Sequence, residues 1–76
     1  MAELPQVTGA QACRAFAKFG FVLDRIRASH HILRKPGFPN VLSVPIHGNK
    51  ALKKGTLRTL IRDAGISVEQ FVEALK

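Results

Sequence analysis

Three histidines are the side chains of this 76-residue sequence best suited to moving a proton near neutral pH: His30, His31 and His47. An imidazole accepts or donates a proton in that range, so it can activate a hydroxyl group without a metal ion. His30 and His31 are adjacent, and neighbouring side chains on a β-strand point to opposite faces. Only one of them could therefore face a given substrate. The residues alone do not decide which one, or whether either has more than a structural role.

Positive charge dominates the sequence and is unevenly distributed. Lys and Arg number 12 against 5 Asp and Glu, which gives a formal net charge of +7 and a pI near 10.6. Between Asp24 and Asp63 there is no acidic residue. The same interval contains the cations Arg25, Arg27, Arg34, Lys35, Lys50, Lys53, Lys54, Arg58 and Arg62. So much positive charge on a short chain predicts a polyanionic partner.

The start of the second predicted helix, Lys53-Lys54-Gly55-Thr56, combines lysines, a hydroxyl and free main-chain amides, which together favour phosphate. Lys54, Arg58 and Arg62 follow at spacings of four and would share one helix face. This helix has no cluster of Asn or Gln for reading base edges, and its apolar stripe is needed for the core. The pattern therefore favours RNA recognised by shape and phosphates over sequence-specific DNA or a membrane surface.

Length and cysteine content restrict the class of protein. At 8.3 kDa the chain predicts one domain over residues 1–76, with a modest core. Its single cysteine, Cys13, excludes an internal disulfide and a cysteine-rich zinc site, and we expect it to pack as a small buried side chain. No apolar run reaches the roughly 20 residues needed to span a bilayer. We expect a cytoplasmic protein that works without a cofactor or metal ion.

Hydrophobic periodicity and turn residues predict the order helix, three strands, helix, short helix. Capping boxes at Thr8 and Ser67 open the first and third helices, while Gly20 and Gly65 end the first and second. The strands are expected over residues 21–26, 30–34 and 41–44, with residues 27–29 joining the first two. Short connections favour an antiparallel meander with the helices packed on one face. The predicted fold class is α+β, in two layers.

Several stretches of the sequence carry a resemblance to a known family. They are Phe19-Gly20-Phe21, Ser29-His30-His31-Ile32, Val44-Pro45-Ile46-His47-Gly48-Asn49-Lys50, Leu52-Lys53-Lys54-Gly55-Thr56-Leu57 and Ile61-Arg62-Asp63-Ala64-Gly65-Ile66-Ser67. In this order and spacing the chain resembles the HicA family of toxins from prokaryotic toxin–antitoxin pairs. The resemblance extends from about Gly9 to Leu75.

This resemblance implies a fold similar to a double-stranded-RNA-binding domain, with α-β-β-β-α(-α) order and helices on one face of a three-stranded antiparallel sheet. It also implies an mRNA interferase, a metal-independent endoribonuclease with His30 as the catalytic histidine. The residues expected to bind RNA are Arg34, Lys50, Lys53, Lys54, Thr56, Arg58 and Arg62. The implied partner is a HicB-type antitoxin that occludes the active site, with operator DNA bound only through the antitoxin complex and no membrane contact.

Two positions depart from the family pattern. Ala28 stands where a glycine commonly precedes the Ser-His pair, which could alter the turn that presents His30. Leu33 replaces an aromatic residue often found three positions beyond the histidine. Neither departure removes the histidine itself, so we expect activity to persist.

The resulting hypothesis is that RNA is cleaved by its own 2′-hydroxyl. His30 would deprotonate this hydroxyl, which attacks the adjacent phosphate and leaves a cyclic phosphate and a 5′-hydroxyl. The alternative is a non-catalytic double-stranded-RNA-binding module of the same fold, in which the histidines only pack. A DNA-binding accessory protein is a weaker alternative.

Overall fold

The computed structural model describes residues 3–76, and it confirms the α+β class and the predicted order of elements. The elements are α1 (Gly9–Ala17), β1 (Val22–Arg27), β2 (His30–Arg34), β3 (Val41–Pro45), α2 (Lys54–Ala64) and α3 (Val68–Ala74). β1 lies one residue further along the chain than predicted, so Arg27 belongs to the strand and Ala28-Ser29 alone form the turn. Met1 and Ala2, which the predicted domain includes, lie outside the described residues. No helix of the described part is long and apolar enough to cross a membrane.

Hydrogen bonds from side chains fix the predicted helix starts. Thr8 and Ser67 each form a complete capping box, with reciprocal bonds to Gln11 and Gln70. Each box satisfies main-chain N–H groups that the first turn of a helix leaves without partners. At the C-terminal end of α2, Gly65 adopts a left-handed conformation with φ of 75°, as its position after the last apolar residue predicts.

The exit from α1 is a closed turn that leads directly into the core. The regular helix stops at Ala17 with Lys18 as its cap, earlier than a boundary at Gly20 predicts. Gly20 nevertheless closes the turn, because its φ of 97° allows two further hydrogen bonds. Its N–H donates to the Ala17 carbonyl at 3.1 Å, and the Phe21 N–H donates to the Phe16 carbonyl at 3.3 Å. These are the two bonds of a Schellman motif.

The strands form an antiparallel meander in the order β1-β2-β3, as predicted. On β2, His31 and Leu33 face the same side as their β3 partners Val44 and Leu42. The helices cover this side, because Leu33, Leu42 and Val44 belong to the main hydrophobic cluster. The opposite side, which we call the outer face, is turned to solvent. A bulge at Asp24 leaves that residue without a partner on β2.

Three phenylalanines from different parts of the chain form the centre of the core. Phe16 lies 6.2 Å from Phe21 and 5.1 Å from Phe71 between ring centroids, and each is at most 1% exposed. Edge-on and tilted contacts of this kind add to the free energy gained from burial. The segment before α1 joins the core through Leu4 and Val7, which are 3% and 2% exposed. This segment is therefore a structural part of the fold.

β1 projects beyond the helical layer. All its residues are exposed, and it pairs with β2 alone. Of the four exposed large hydrophobic side chains in the described part, it contributes Val22, Leu23 and Ile26, each at least 52% exposed. β1 therefore depends mainly on its pairing with β2 and presents side chains to solvent on both faces.

A close contact between α1 and the end of β3 requires glycine at position 9. A Cβ atom there would overlap the Pro45 carbonyl oxygen and lie 2.6 Å from Cδ1 of Ile46. The Ile46 N–H in turn donates to the carbonyl of Ser29, in the turn before β2, at 2.8 Å. The packing of Gly9 thus helps to hold the end of the sheet at which His30 lies.

We expect Gly9→Ala to lower the free energy of unfolding by about 1–3 kcal/mol, because the added methyl group must displace main chain. Urea denaturation followed by circular dichroism measures this change. The control is Gly55→Ala in α2, where an added Cβ meets no atom within 4 Å. This control should be neutral or stabilising by up to about 1 kcal/mol. Equal stability of Gly9→Ala and wild type would contradict the tight contact.

Candidate functional site

The outer face of the sheet is organised as three cross-strand rows, each with one residue from every strand. The rows are Arg27–His30–Pro45, Arg25–Ile32–Ser43 and Val22–Arg34–Val41. Side chains directly opposite one another on neighbouring strands have Cβ atoms roughly 5 Å apart, so members of a row are close neighbours. Each row contains an arginine, which makes the outer face positively charged.

The sheet places the two adjacent histidines in different environments. His30 is exposed on the outer face, opposite Arg27 and Pro45. His31 is half-buried on the helix-covered side, opposite Val44. Of the two, His30 is therefore the side chain that a large substrate can reach. Its role as a base stays a prediction.

His30 lies in an open groove formed by all three strands, which we call the His30 groove. Its lining residues are Arg27, Ala28, His30, Ile32 and Ser43. Ile32 is only 7% exposed although it points to the outer face, and it lies outside the main hydrophobic cluster. The groove therefore has an apolar floor, with the imidazole, a guanidinium and a hydroxyl around it.

Ion pairing within the part of the chain that the structure describes leaves one of the three outer-face arginines without a carboxylate partner. Asp24 lies 2.7 Å from Nη1 of Arg25 and 3.9 Å from Nε of Arg34. Arg27 forms no ion pair with any other residue in the range 3–76. Arg34 is four residues from His30 along β2, roughly 13 Å away at the usual rise of a strand. Arg27 is thus the cation beside His30 whose charge no carboxylate of the described residues offsets.

A second groove adjoins the first and brings together part of the predicted RNA-binding set. Lys50, Lys53 and Thr56 line it together with Pro45. Pro45 is the β3 partner of His30, so the second groove begins at the neighbour of His30 on the next strand. These three predicted residues therefore lie on the same side of the molecule as the histidine.

The remaining cations of α2 face another direction. Thr56 lines a groove with Ser43, between the helix and the outer face of β3. Arg58 is two residues further, about 200° around the helix axis from Thr56, so these two side chains point in different directions. Lys54, Arg58 and Arg62 are exposed and line none of the grooves that contain His30 or Ser43. They share one helix face, as their spacing indicates, and none of them lines the His30 groove.

Arg27 and Ser43 are the residues of the His30 groove that the sequence analysis did not select. Arg27 was expected in a connection, whereas a two-residue turn makes it the partner of His30. Ser43 alternates with the buried Leu42 and Val44, which is the pattern of a residue on the solvent side of a strand. Arg27 could not be selected because the exact end of β1 was not known from the sequence. The alternation could have identified Ser43.

Other candidate chemistry lies away from the groove. Within residues 3–76 no group of three or more His, Cys, Asp and Glu side chains could hold a metal ion. Cys13 is half-buried on α1, rather than fully buried as expected, and packs against the core. Burial raises the pKa of its thiol above the usual range, and Arg14 partly opposes this rise. A raised thiol pKa lowers the fraction of thiolate and thus the reactivity of the side chain.

The turn that presents His30 is strained. Ala28 has φ of 53° and is the only described non-glycine residue with positive φ. A two-residue hairpin turn with positive φ only at its first position fits type II′, in which that position is normally glycine. The departure from the family pattern at Ala28 therefore leaves the turn in place and gives it conformational strain.

We expect Ala28→Gly to raise the free energy of unfolding by about 0.5–1 kcal/mol. The reason is that glycine removes the backbone strain of an alanine with positive φ, and this gain exceeds the cost of the extra conformational entropy that glycine has in the unfolded chain. Ala28→Val should have the opposite effect, since β-branched side chains tolerate positive φ poorly. The midpoints of urea denaturation of wild type, Ala28→Gly and Ala28→Val measure the order of their stabilities. A valine variant as stable as wild type would contradict the strained turn.

The comparison with protein families agrees with this arrangement. A family model described as the HicA toxin of bacterial toxin–antitoxin systems matches residues 9–66. The matched span runs from the first residue of α1 to just past the end of α2, so it includes the whole sheet and both grooves at His30 and Lys50. A search of curated proteins finds no match. Because the family model covers well over half of the chain, the protein belongs to the HicA toxin family.

Proposed function

We propose that this toxin is a metal-independent endoribonuclease that cleaves mRNA, with His30 as the general base. The observation that carries this proposal is the His30 groove, where an exposed imidazole lies beside an unpaired positive charge on an open face. An open groove suits a long polyanion better than a small metabolite, which usually needs a pocket that encloses it.

The proposed reaction uses the nucleophile that RNA already contains. An unprotonated ring nitrogen of His30 accepts the proton of a 2′-hydroxyl, and the 2′ oxygen attacks the adjacent phosphorus. The bond from phosphorus to the 5′ oxygen then breaks, leaving a 2′,3′-cyclic phosphate and a 5′-hydroxyl. Among residues 3–76, no second histidine and no carboxylate lines the His30 groove. We therefore assign protonation of the leaving oxygen to solvent.

The RNA chain is proposed to run from the His30 groove into the adjoining groove. There the Lys50 and Lys53 ammonium groups and the Thr56 hydroxyl would contact phosphates. Arg34 would contact the backbone further along the outer face. Lys54, Arg58 and Arg62 would bind a more distant part of a folded RNA, because none of them lines the grooves at His30 and Lys50.

Membership of a toxin–antitoxin family implies a partner that restrains the toxin. We propose a HicB-type antitoxin with enough acidic surface to cover the cationic outer face and occlude His30. Operator DNA would be contacted only through the antitoxin in the complex. An mRNA substrate places the proposed activity in the cytoplasm.

A non-catalytic RNA-binding module remains the second candidate. The observation that favours it is the absence of a hydrogen-bonded carboxylate partner for His30 among residues 3–76. Such a partner orients the base in many histidine-dependent enzymes. The same residues could then bind RNA through charge and shape alone.

His30→Ala should abolish cleavage of a defined RNA by the purified protein in EDTA, while RNA binding changes little. The matched control is the neighbouring His31→Gln, which should cleave like wild type because His31 faces the helices. Circular dichroism of each variant excludes loss of fold as the cause. Product analysis should detect cyclic phosphate and 5′-hydroxyl ends.

The possible results separate the two candidates. Cleavage by wild type and His31→Gln but not by His30→Ala supports the proposed enzyme. Equal cleavage by all three proteins identifies a different base. Binding without cleavage by wild type supports the RNA-binding module.

Replacing the helix cations tests the more distant contact surface. Lys54→Gln combined with Arg58→Gln should raise the Kd for RNA several-fold at 100 mM salt. The affinity should also depend less on salt: the slope of log affinity against log salt concentration should become shallower by about 0.7 for each lost phosphate contact to single-stranded RNA. The rate of the cleavage step at saturating RNA should be retained. Arg14→Gln combined with Lys18→Gln removes the same net charge from α1 and its cap. Equal effects of both pairs would assign the binding to net charge alone.

A further inference from the structure

We propose that Arg27 and Ser43 form a phosphate-binding subsite around His30, in which they hold the scissile phosphate and stabilise the transition state. This inference rests on the proposed ribonuclease function and extends it to residues outside the predicted catalytic and RNA-binding set. The ligand is the phosphodiester that lies next to the attacked bond of an RNA chain.

The geometry of the sheet supports the subsite, because each strand contributes one polar side chain to the same groove. Arg27 is directly opposite His30 across the two-residue turn. Ser43 is diagonal to His30 on the other side, one row further along β3. All three line one groove over the side chain of Ile32. A phosphate placed above this apolar floor would have a donor on each side of it and the base beside it.

Charge distribution distinguishes Arg27 from the other arginines of the outer face. Arg25 and Arg34 share the carboxylate of Asp24, so their positive charge is partly offset. Arg27 has no ion pair within residues 3–76 and lies in the same row as His30. It is therefore the cation best placed to act on the phosphate at which His30 would operate.

The chemistry of the two side chains fits the changes that the phosphate undergoes. A guanidinium can donate two parallel hydrogen bonds to the non-bridging oxygens, which carry more negative charge in the pentacoordinate transition state than in the starting diester. The Ser43 hydroxyl can donate one further hydrogen bond. Neither side chain exchanges a proton with the substrate. The bond formed is from the 2′ oxygen to phosphorus, and the bond broken is from phosphorus to the 5′ oxygen.

The test compares cleavage and binding for Arg27→Gln, Arg27→Lys and Ser43→Ala. Single-turnover cleavage is measured with an RNA oligonucleotide, and binding with the same oligonucleotide carrying a 2′-deoxy nucleotide at the cleavage site, which cannot react. Arg27→Gln should slow cleavage about 100-fold or more, with at most a several-fold change in Kd. Arg27→Lys should recover part of the rate, because it keeps the charge and loses the fork of donors. Ser43→Ala should slow cleavage about 10-fold, as expected for one neutral donor.

Arg14→Gln on α1 is the matched control, since it removes one arginine from the opposite layer. It should cleave and bind like wild type. Thermal unfolding of every variant verifies that the fold is intact, and Arg27 and Ser43 are both exposed, so little loss of stability is expected. NMR spectra with the 2′-deoxy oligonucleotide should show shifts at Arg27, His30 and Ser43.

The outcomes separate failure of this inference from failure of the proposed function. If wild type cleaves and Arg27→Gln cleaves at the same rate, the subsite is wrong and the ribonuclease stands. A second outcome is that wild type does not cleave while the 2′-deoxy oligonucleotide shifts the NMR signals of Arg27, His30 and Ser43. If Arg27→Gln then abolishes those shifts, the phosphate subsite stands without catalysis. If the oligonucleotide shifts the NMR signals of none of these three residues, the subsite is wrong whether or not wild type cleaves RNA.

Discussion

The alternation of side chains along β2 is the constraint on which the rest of this structure depends. Leu33 must face the helices, because it packs with the buried residues of β3 in the only large core of the described chain. A strand has a period of two, so covering Leu33 sends His30, Ile32 and Arg34 to the outer face. A slip of one residue in this register would bury His30 and expose the core. Fold stability and exposure of the histidine are therefore consequences of the same pairing.

Separation of the two faces also explains how a chain of this size can carry both a core and a reactive surface. The core lies between the helices and the covered side of the sheet, whereas the residues proposed for chemistry lie on the other side. No charged or polar residue of the described part is buried. The proposed active residues therefore add no desolvation cost to folding. Substitutions on the outer face can alter activity while the core stays intact, which makes kinetic effects interpretable.

Local signals in the sequence predicted most of the fold, because caps and alternation act over a few residues. Both capping boxes, the three-stranded meander and the shared face of Lys54, Arg58 and Arg62 follow from such short-range patterns. The choice between the two adjacent histidines could not follow from them. It depends on which side of the sheet the helices cover, a property of tertiary packing.

The arrangement of the candidate site was harder to predict from the sequence for the same reason. A shift of one residue at the end of β1 turned Arg27 from a turn residue into the partner of His30. Strand ends are set by competition between turn geometry and pairing, which local patterns resolve poorly. The direction of the α2 cations likewise depends on how that helix packs beside β3. The resemblance to a family selected His30, but only the register identified its neighbours.

The exposed position of β1 has a consequence for the behaviour of the protein in solution. A free sheet edge with apolar side chains can pair with the edge of another molecule and start aggregation. Here the bulge at Asp24 interrupts the edge, and Arg27, whose charge is not offset by an ion pair within residues 3–76, leaves the strand with a positive charge that repels an identical strand. Concentrated salt screens this repulsion over distances beyond a few ångströms. The colloidal stability of the protein therefore depends on ionic strength through the same strand that carries Arg27.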